Sequence, residues 1–250
     1  MPPFGLHMTA AREIAADLQS PAIEADRGAY YLGATTPDIR VLTKWDRQRT
    51  HFFDIHNFGE QNSVHRLFEE TPALKDASAV GPSTAAFMAG YISHLEMDEQ
   101  YICQIYRPLF GERSPLANDV YADLMDRVLQ FELDRRERED APSIAEIKMA
   151  LAETAVEVAV DFISRETLLE WRDVSLSVLD YPPTWDRFSR VWKNHMARAG
   201  IEGEVDESSF MEKIPPLLDR TIDHVGVECI REYLHGAKAR ARRTMKEYLS

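Results

Sequence analysis

The stretch FMAGYISHLEMDEQYICQIY, residues 87 to 106, decides the reading of this chain. Phe87, Tyr91, Leu95, Ile102 and Ile105 recur at steps near three and four, and no proline interrupts them, so the stretch predicts one helix. His94 and Asp98 are four residues apart, and on a helix their side chains leave the same face one turn apart. An imidazole nitrogen and a carboxylate oxygen presented in that way can grip one divalent metal; the same pair also serves as a hydrogen-bonded His–Asp couple. Glu96 and Glu99 load the helix with further negative charge, which calls for a cation or water opposite them.

Composition sets the frame around that helix. The 250 residues suit a single helical domain, 1–250, with residues 1–110 as the half that carries candidate ligands and 111–250 as a helical C-terminal half. A formal net charge of −13 opposes general affinity for nucleic acid backbones or anionic membrane surfaces, while leaving room for cations. Cys103 and Cys229 stand far apart, outside any metal-ligand spacing, and read as small packed residues. The N-terminus shows no basic region followed by an apolar run, and no segment approaches the roughly eighteen apolar residues of a membrane span. The expected location is the cytoplasm.

The flanking segments supply more candidate ligands. Thr9 to Leu18 predicts a helix with Thr9 as its N-cap, which leaves His7 just ahead of it. In YLGATTPDIR, Asp38 follows Pro37, where the chain turns and a carboxylate can either point inward or cap a turn. Residues 45 to 65 hold three of the eight histidines, His51, His56 and His65, among Phe52, Phe53, Phe58 and Asp54. His51 is the best ligand there, and His65 reads as a surface helix residue. Helices are expected over about 116–138, over SIAEIKMALAET and AVEVAVDFI, over RETLLEWRDVSLSVL, and over TWDRFSRVWKNHMARAG, which ends at Gly200 and carries an idle His195. An acidic loop, IEGEVDESS, comes next. A long final helix from Pro216 would carry His224 and Glu228 on one face, a second HxxxE-type pair with a conceivable metal role.

His7, then LGATTPDI with Asp38, then His51, then GYISHLEMDE with His94 and Asp98 form a sequence of motifs that resembles the zinc-dependent phospholipase C family over roughly the first 110 residues. The resemblance implies an all-α, multi-helix fold shared with fungal single-strand nucleases, with one to three zinc ions in a cleft. It implies that His7 binds one zinc, that Asp38, His51 and His94 hold a neighbouring one, and that Asp98 bridges the two or binds one. Asp38 and Asp98 become the catalytic candidates, with His56, Glu99, His224 and Glu228 as additional or supporting ligands. Histidine and carboxylate sets also accept Mn2+ or Fe2+. The chain departs from the pattern at Ile102, Cys103 and Gln104, where family members carry another histidine, and no signal peptide is expected from its N-terminal residues.

The leading expectation is a zinc-dependent phosphodiester hydrolase acting on a phospholipid head group or a smaller phosphodiester, through a metal-activated water. The alternatives are a nuclease-type phosphodiesterase, which the acidic charge opposes, and a non-enzymatic scaffold with a structural metal that binds a partner protein. An apolar cleft rimmed by Phe52, Phe53 and Tyr91 would favour lipid; one lined by Arg40, Lys44, Arg47 and Arg49 would favour a polyanion.

Overall fold

The structure, a computed structural model, describes residues 3–117, 119–198 and 207–250. Gly200, the acidic segment at 201–206 and the His195 side chain lie outside the described residues. The chain is all-α, as expected: every regular element among the described residues is helical. In order these are α1 (Phe4–Leu18), α2 (Pro21–Ala25), α3 (Arg27–Gly33), α4 (Arg40–Thr43), α5 (Gln48–His51), α6 (Ser63–Glu70) and α7 (Pro82–Tyr101). There follow α8 (Ala122–Glu137), α9 (Ala141–Glu153), α10 (Arg165–Asp180), α11 (Phe188–Arg198), α12 (Glu207–Val225) and α13 (Val227–Tyr248).

The axis of the molecule is α7. It starts at Pro82, whose missing N–H costs nothing in a first turn, and runs on beyond Tyr101 into wider π-type turns over Ile102–Phe110. Almost every residue from Thr84 to Glu99 is buried, so α7 is enclosed on all sides rather than along one apolar face. Its first half, with Phe87, Tyr91 and Leu95, belongs to one hydrophobic cluster; Met97 and Tyr101 belong to another. Helix α1 straddles the same boundary, giving Met8 and Ala11 to the first cluster and Leu6 and Ala10 to the second. The polar residues that the family resemblance singles out lie where the two clusters meet.

Two glycines make that junction possible. A Cβ built on Gly33 at the end of α3 would stand 1.9 Å from the Phe87 carbonyl oxygen, and one on Gly90 would stand 1.9 Å from the Tyr30 carbonyl oxygen. Helices α3 and α7 therefore touch backbone to backbone, an approach that glycine alone permits. Across the other side of α7, Arg240 of α13 pairs with Glu96 and Glu99, and Thr244 bonds Glu96 at 2.8 Å. The cation that those carboxylates called for is a side chain of the last helix.

Three expectations are corrected. Helix α1 begins at Phe4, so His7 lies within it and Thr9 is no cap; the Thr9 hydroxyl instead bonds the Gly5 carbonyl. The capping acceptor comes from far along the chain, since Asp134 of α8 takes the Gly5 N–H at 2.6 Å, and no local signal marks it. Residues 154–160 are not helical: Thr154, Val156, Val158 and Val160 are buried while Ala155, Glu157 and Ala159 are exposed. That two-residue alternation belongs to an irregular segment, in which Val156 stands at φ 53°, in the left-handed region. The final helix is also two helices, parted at Gly226, whose φ of 83° lies in the left-handed region open to glycine.

Candidate metal centre

Four elements deliver the ligands. Helix α3 stops because Pro37 cannot extend it, and Thr36 closes the end by bonding the Leu32 carbonyl at 2.7 Å. The short 3-10 turn Thr36–Ile39 that follows carries Asp38, the most open of the group with its side chain 22% exposed. His51 ends α5, which Tyr91 of α7 ties down through its hydroxyl to the Thr50 carbonyl. Helix α1 brings His7, and α7 brings His94 and Asp98; all three are buried, as is His51.

The ligand atoms converge into two groups of three: His7, His94 and Asp98, and Asp38, His51 and His94. His51 Nε2 lies 3.5 Å from Asp38 Oδ1 and 3.3 Å from Asp98 Oδ2, while His7 Nε2 lies 3.5 Å from Asp98 Oδ1. The His7 and His94 rings are stacked, with centroids 3.6 Å apart.

Hydrogen bonding fixes which nitrogens are available. His94 Nδ1 is 2.8 Å from the Ala34 carbonyl, an acceptor, so Nδ1 carries the proton and Nε2 a lone pair. The Thr50 hydroxyl donates to the Arg47 carbonyl and so accepts from His51 Nδ1 at 3.1 Å, which again leaves a lone pair on Nε2. His7 Nε2, His51 Nε2, His94 Nε2 and Asp98 Oδ1 are buried without hydrogen-bond partners. Lone pairs facing carboxylate oxygens repel unless a cation stands between them, so this donor set fits a divalent metal.

Ionisation points the same way. Burial first, then the neighbouring His7, brings His94 down to about 3. Burial and the charge of Arg47 lower His51 as well. Burial pushes the Asp38 carboxyl up, but the neighbouring His51 and His94 outweigh it and hold it at about 2. Burial likewise opposes ionisation of Asp98, and His7 and Arg47 overcome it to keep Asp98 well below the usual carboxylate range. Neutral imidazoles beside ionised carboxylates are the protonation states a metal needs.

Arg47 was missed as part of this centre. Its guanidinium reaches Asp98 Oδ2 and also bonds the Phe53 carbonyl at 3.4 Å. The sequence offered no periodic signal for it, because it stands in the irregular turn before α5. Tyr91 and the Ala34 carbonyl, which position His51 and His94, were equally hidden.

The additional candidates lie elsewhere. Glu99 turns to the other side of α7, accepting from the Ser63 amide at 2.7 Å and from Arg240. His56 is exposed in a loop. Gly226 separates His224 from Glu228; His224 Nε2 lies 2.8 Å from the Leu109 carbonyl, and exposed Glu228 pairs with Arg231. Phe52, Phe53 and Tyr91 are buried in the core.

An all-helical protein with a buried histidine–carboxylate centre is the class that these features define. Residues 6–98 match the model of the family described as zinc dependent phospholipase C. The matched segment contains His7, Asp38, His51, His94 and Asp98. No curated protein and no solved structure gives a significant match. Among the described residues no helix is long and apolar enough to cross a membrane.

Proposed function

We propose that this protein is a metal-dependent hydrolase of phosphodiesters, with zinc as its metal. The observation that carries the reading is the set of buried, unpartnered nitrogen and oxygen atoms of His7, His51, His94 and Asp98 beside Asp38. Asp38, His51 and His94 would hold the ion, with Asp98 beside them. Zinc, when bound, supplies Lewis-acid chemistry suited to a phosphoryl oxygen.

The chain's own residues do the rest. Asp38 is ionised at neutral pH and is the group most open to solvent, so its carboxylate is placed to accept a proton from an attacking water. The Ala34 carbonyl and the Thr50 hydroxyl hold the His94 and His51 rings in the tautomers that expose Nε2. Arg47 keeps Asp98 ionised and brings positive charge to the place where a phosphodiester anion would arrive. With Phe52, Phe53 and Tyr91 withdrawn into the core, the reading favours a small phosphodiester or a head group over recognition of acyl chains.

The test compares zinc-loaded protein on bis(p-nitrophenyl) phosphate, phosphatidylcholine vesicles and a single-stranded oligonucleotide. Turnover of the small diester, abolished in His94→Ala and Asp98→Ala together with zinc retention, is expected. Zinc-loaded protein inactive on all three would overturn the hydrolase reading. Cleavage confined to the oligonucleotide would make it a nuclease.

A further inference from the structure

The segment that follows Asp38 carries four basic residues, Arg40, Lys44, Arg47 and Arg49, with Asp46 as the one acid among them. In a chain of formal net charge −13, that local excess of positive charge calls for an explanation. Three of the four are engaged within the fold. Lys44 Nζ bonds the Val41 carbonyl at 2.6 Å, and the Arg49 guanidinium lies 3.7 Å from the centre of the Trp45 ring. Arg47 reaches Asp98 and the Phe53 carbonyl.

Arg40 is different. It opens α4 two residues beyond Asp38, is half-buried, and its Nε is enclosed without a hydrogen-bond partner. Among the described residues no carboxylate pairs with its guanidinium. Arginine keeps its charge at any physiological pH and has donors but no acceptor, so an enclosed N–H left unpaired is costly. A like charge adds to that cost. Burial lowers Arg47 first, Asp98 and Asp38 raise it, and the charge of Arg40 lowers it again. The two guanidinium groups thus share one field, and the Asp98 carboxylate is bonded to Arg47 and not to Arg40.

Arg40 also stands on the open side of the centre. Asp38 is the most exposed of the candidate ligands, whereas His7, His51, His94 and Asp98 are closed off. A group attached to a phosphate at the centre has to leave past Asp38, and the turn that bears Asp38 leads directly into Arg40.

We infer that Arg40 is a specificity residue that receives a second negative charge on the substrate, so that the centre takes a phosphoester whose head group is itself anionic and disfavours one bearing a quaternary ammonium. The inference rests on the proposed reading for the phosphate at the metal centre but not for its hydrolysis. An anionic head group gives the enclosed N–H its acceptor and relieves the repulsion between the two arginines; a cationic one adds a third like charge.

The experiment is calorimetric titration of zinc-loaded protein with phosphoglycolate, phosphocholine and inorganic phosphate. Wild type should bind phosphoglycolate about 10-fold or more tightly than phosphocholine, the worth of one hydrogen bond between charged groups. Arg40→Gln should remove most of that preference and leave inorganic phosphate nearly unchanged, and Arg40→Lys should restore part of it. Arg49→Gln, which deletes the same charge from the Trp45 ring, should leave the preference intact. Equal affinity for phosphoglycolate and phosphocholine in wild type, or binding of none of the three, would overturn the inference. A preference that survives in Arg40→Gln, or falls equally in Arg49→Gln, would overturn it too. Because the Arg40 side chain bonds nothing in the fold, Arg40→Gln should melt like wild type; a chain that cannot fold without this arginine would give it a structural role instead. Preferred binding of phosphoglycolate without turnover of any phosphodiester would sink the hydrolase reading and leave this one standing. Turnover of bis(p-nitrophenyl) phosphate with no preference between the two probes would do the reverse.

Discussion

Replacing Gly90 by alanine tests the junction on which the centre is built. The added Cβ would meet the Tyr30 carbonyl oxygen at 1.9 Å and the Ala34 amide nitrogen at 2.8 Å, while ordinary contact begins near 3.4 Å. Both neighbours are backbone and cannot swing aside, so α3 must retreat from α7 by about 1.5 Å. Overpacking costs about 1–3 kcal/mol, and rigid neighbours place this case at the upper end or above it. Alanine returns about 1 kcal/mol through helix propensity. A net loss of about 2–3 kcal/mol is therefore expected, or roughly 5–10 °C in melting temperature for a chain of this size. The centre should suffer with it, because the Ala34 carbonyl that orients His94 moves with α3. Loss of such a support lowers metal affinity roughly 10- to 100-fold. Gly236→Ala is the control: it lies inside α13 with nothing within 4 Å of its built Cβ, and should stabilise by up to about 1 kcal/mol. Urea melts and zinc calorimetry on both variants give the answer. A Gly90→Ala protein as stable as wild type, with unchanged zinc affinity, would refute the reasoning.

Three further outcomes follow from the same geometry. Asp134→Ala strips the acceptor from the buried Gly5 N–H and the partner from Arg138, and should cost about 3 kcal/mol in a urea melt; Asp134→Asn, which keeps an oxygen for Gly5, should cost less, and equal costs would deny the capping role. In metal-free protein, His94 binds its proton near 3 when folded and near 6.5 when unfolded, so its contribution is complete above pH 6.5 and falls by about 1.4 kcal/mol per pH unit as pH drops toward 3. Asp38 adds a further loss between about 4 and 2, and a stability profile flat from pH 7 to 5 would contradict the buried neutral histidine. His224→Asn combined with Glu228→Gln should leave the zinc count unchanged by elemental analysis, and a lost ion would restore them as ligands.

The all-helical class was legible because helical periodicity and family motifs agreed, and the elements that broke the reading did so for local reasons. The segment around AVEVAVD carries both a helical and an alternating pattern, and its packing against α7, where Thr84 accepts the Ala159 N–H at 2.9 Å, goes with the non-helical one. Gly226 could be overlooked because a single glycine is tolerated inside many helices; its left-handed φ is a property of the backbone. The order of His7, Asp38, His51, His94 and Asp98 was readable as a pattern of residue types. What held them in place was not, because Asp134 reaches Gly5 across 129 residues and Ala34 reaches His94 across 60. Arg47 was visible only as one of several basic residues near Asp38, and its charge acquires meaning from burial against Asp98.

The centre also explains why α7 is so completely enclosed. Burying His94 and Asp98 without partners for all of their polar atoms is costly, and a protein tolerates that cost where a ligand offsets it. Residues on the opposite side of the same helix, Glu96 and Glu99, are equally buried yet are met by Arg240, Thr244 and the Ser63 amide. One helix thus carries two polar faces. The face toward α13 is supplied with side-chain cations by the fold itself, whereas on the face toward α1, α3 and α5 Arg47 meets one oxygen of Asp98 and the His7, His51 and His94 Nε2 atoms and Asp98 Oδ1 have no hydrogen-bond partner. That asymmetry, within a single helix and at equal burial, is what the proposed metal reading predicts, with the ion between α7 and the turn that bears Asp38.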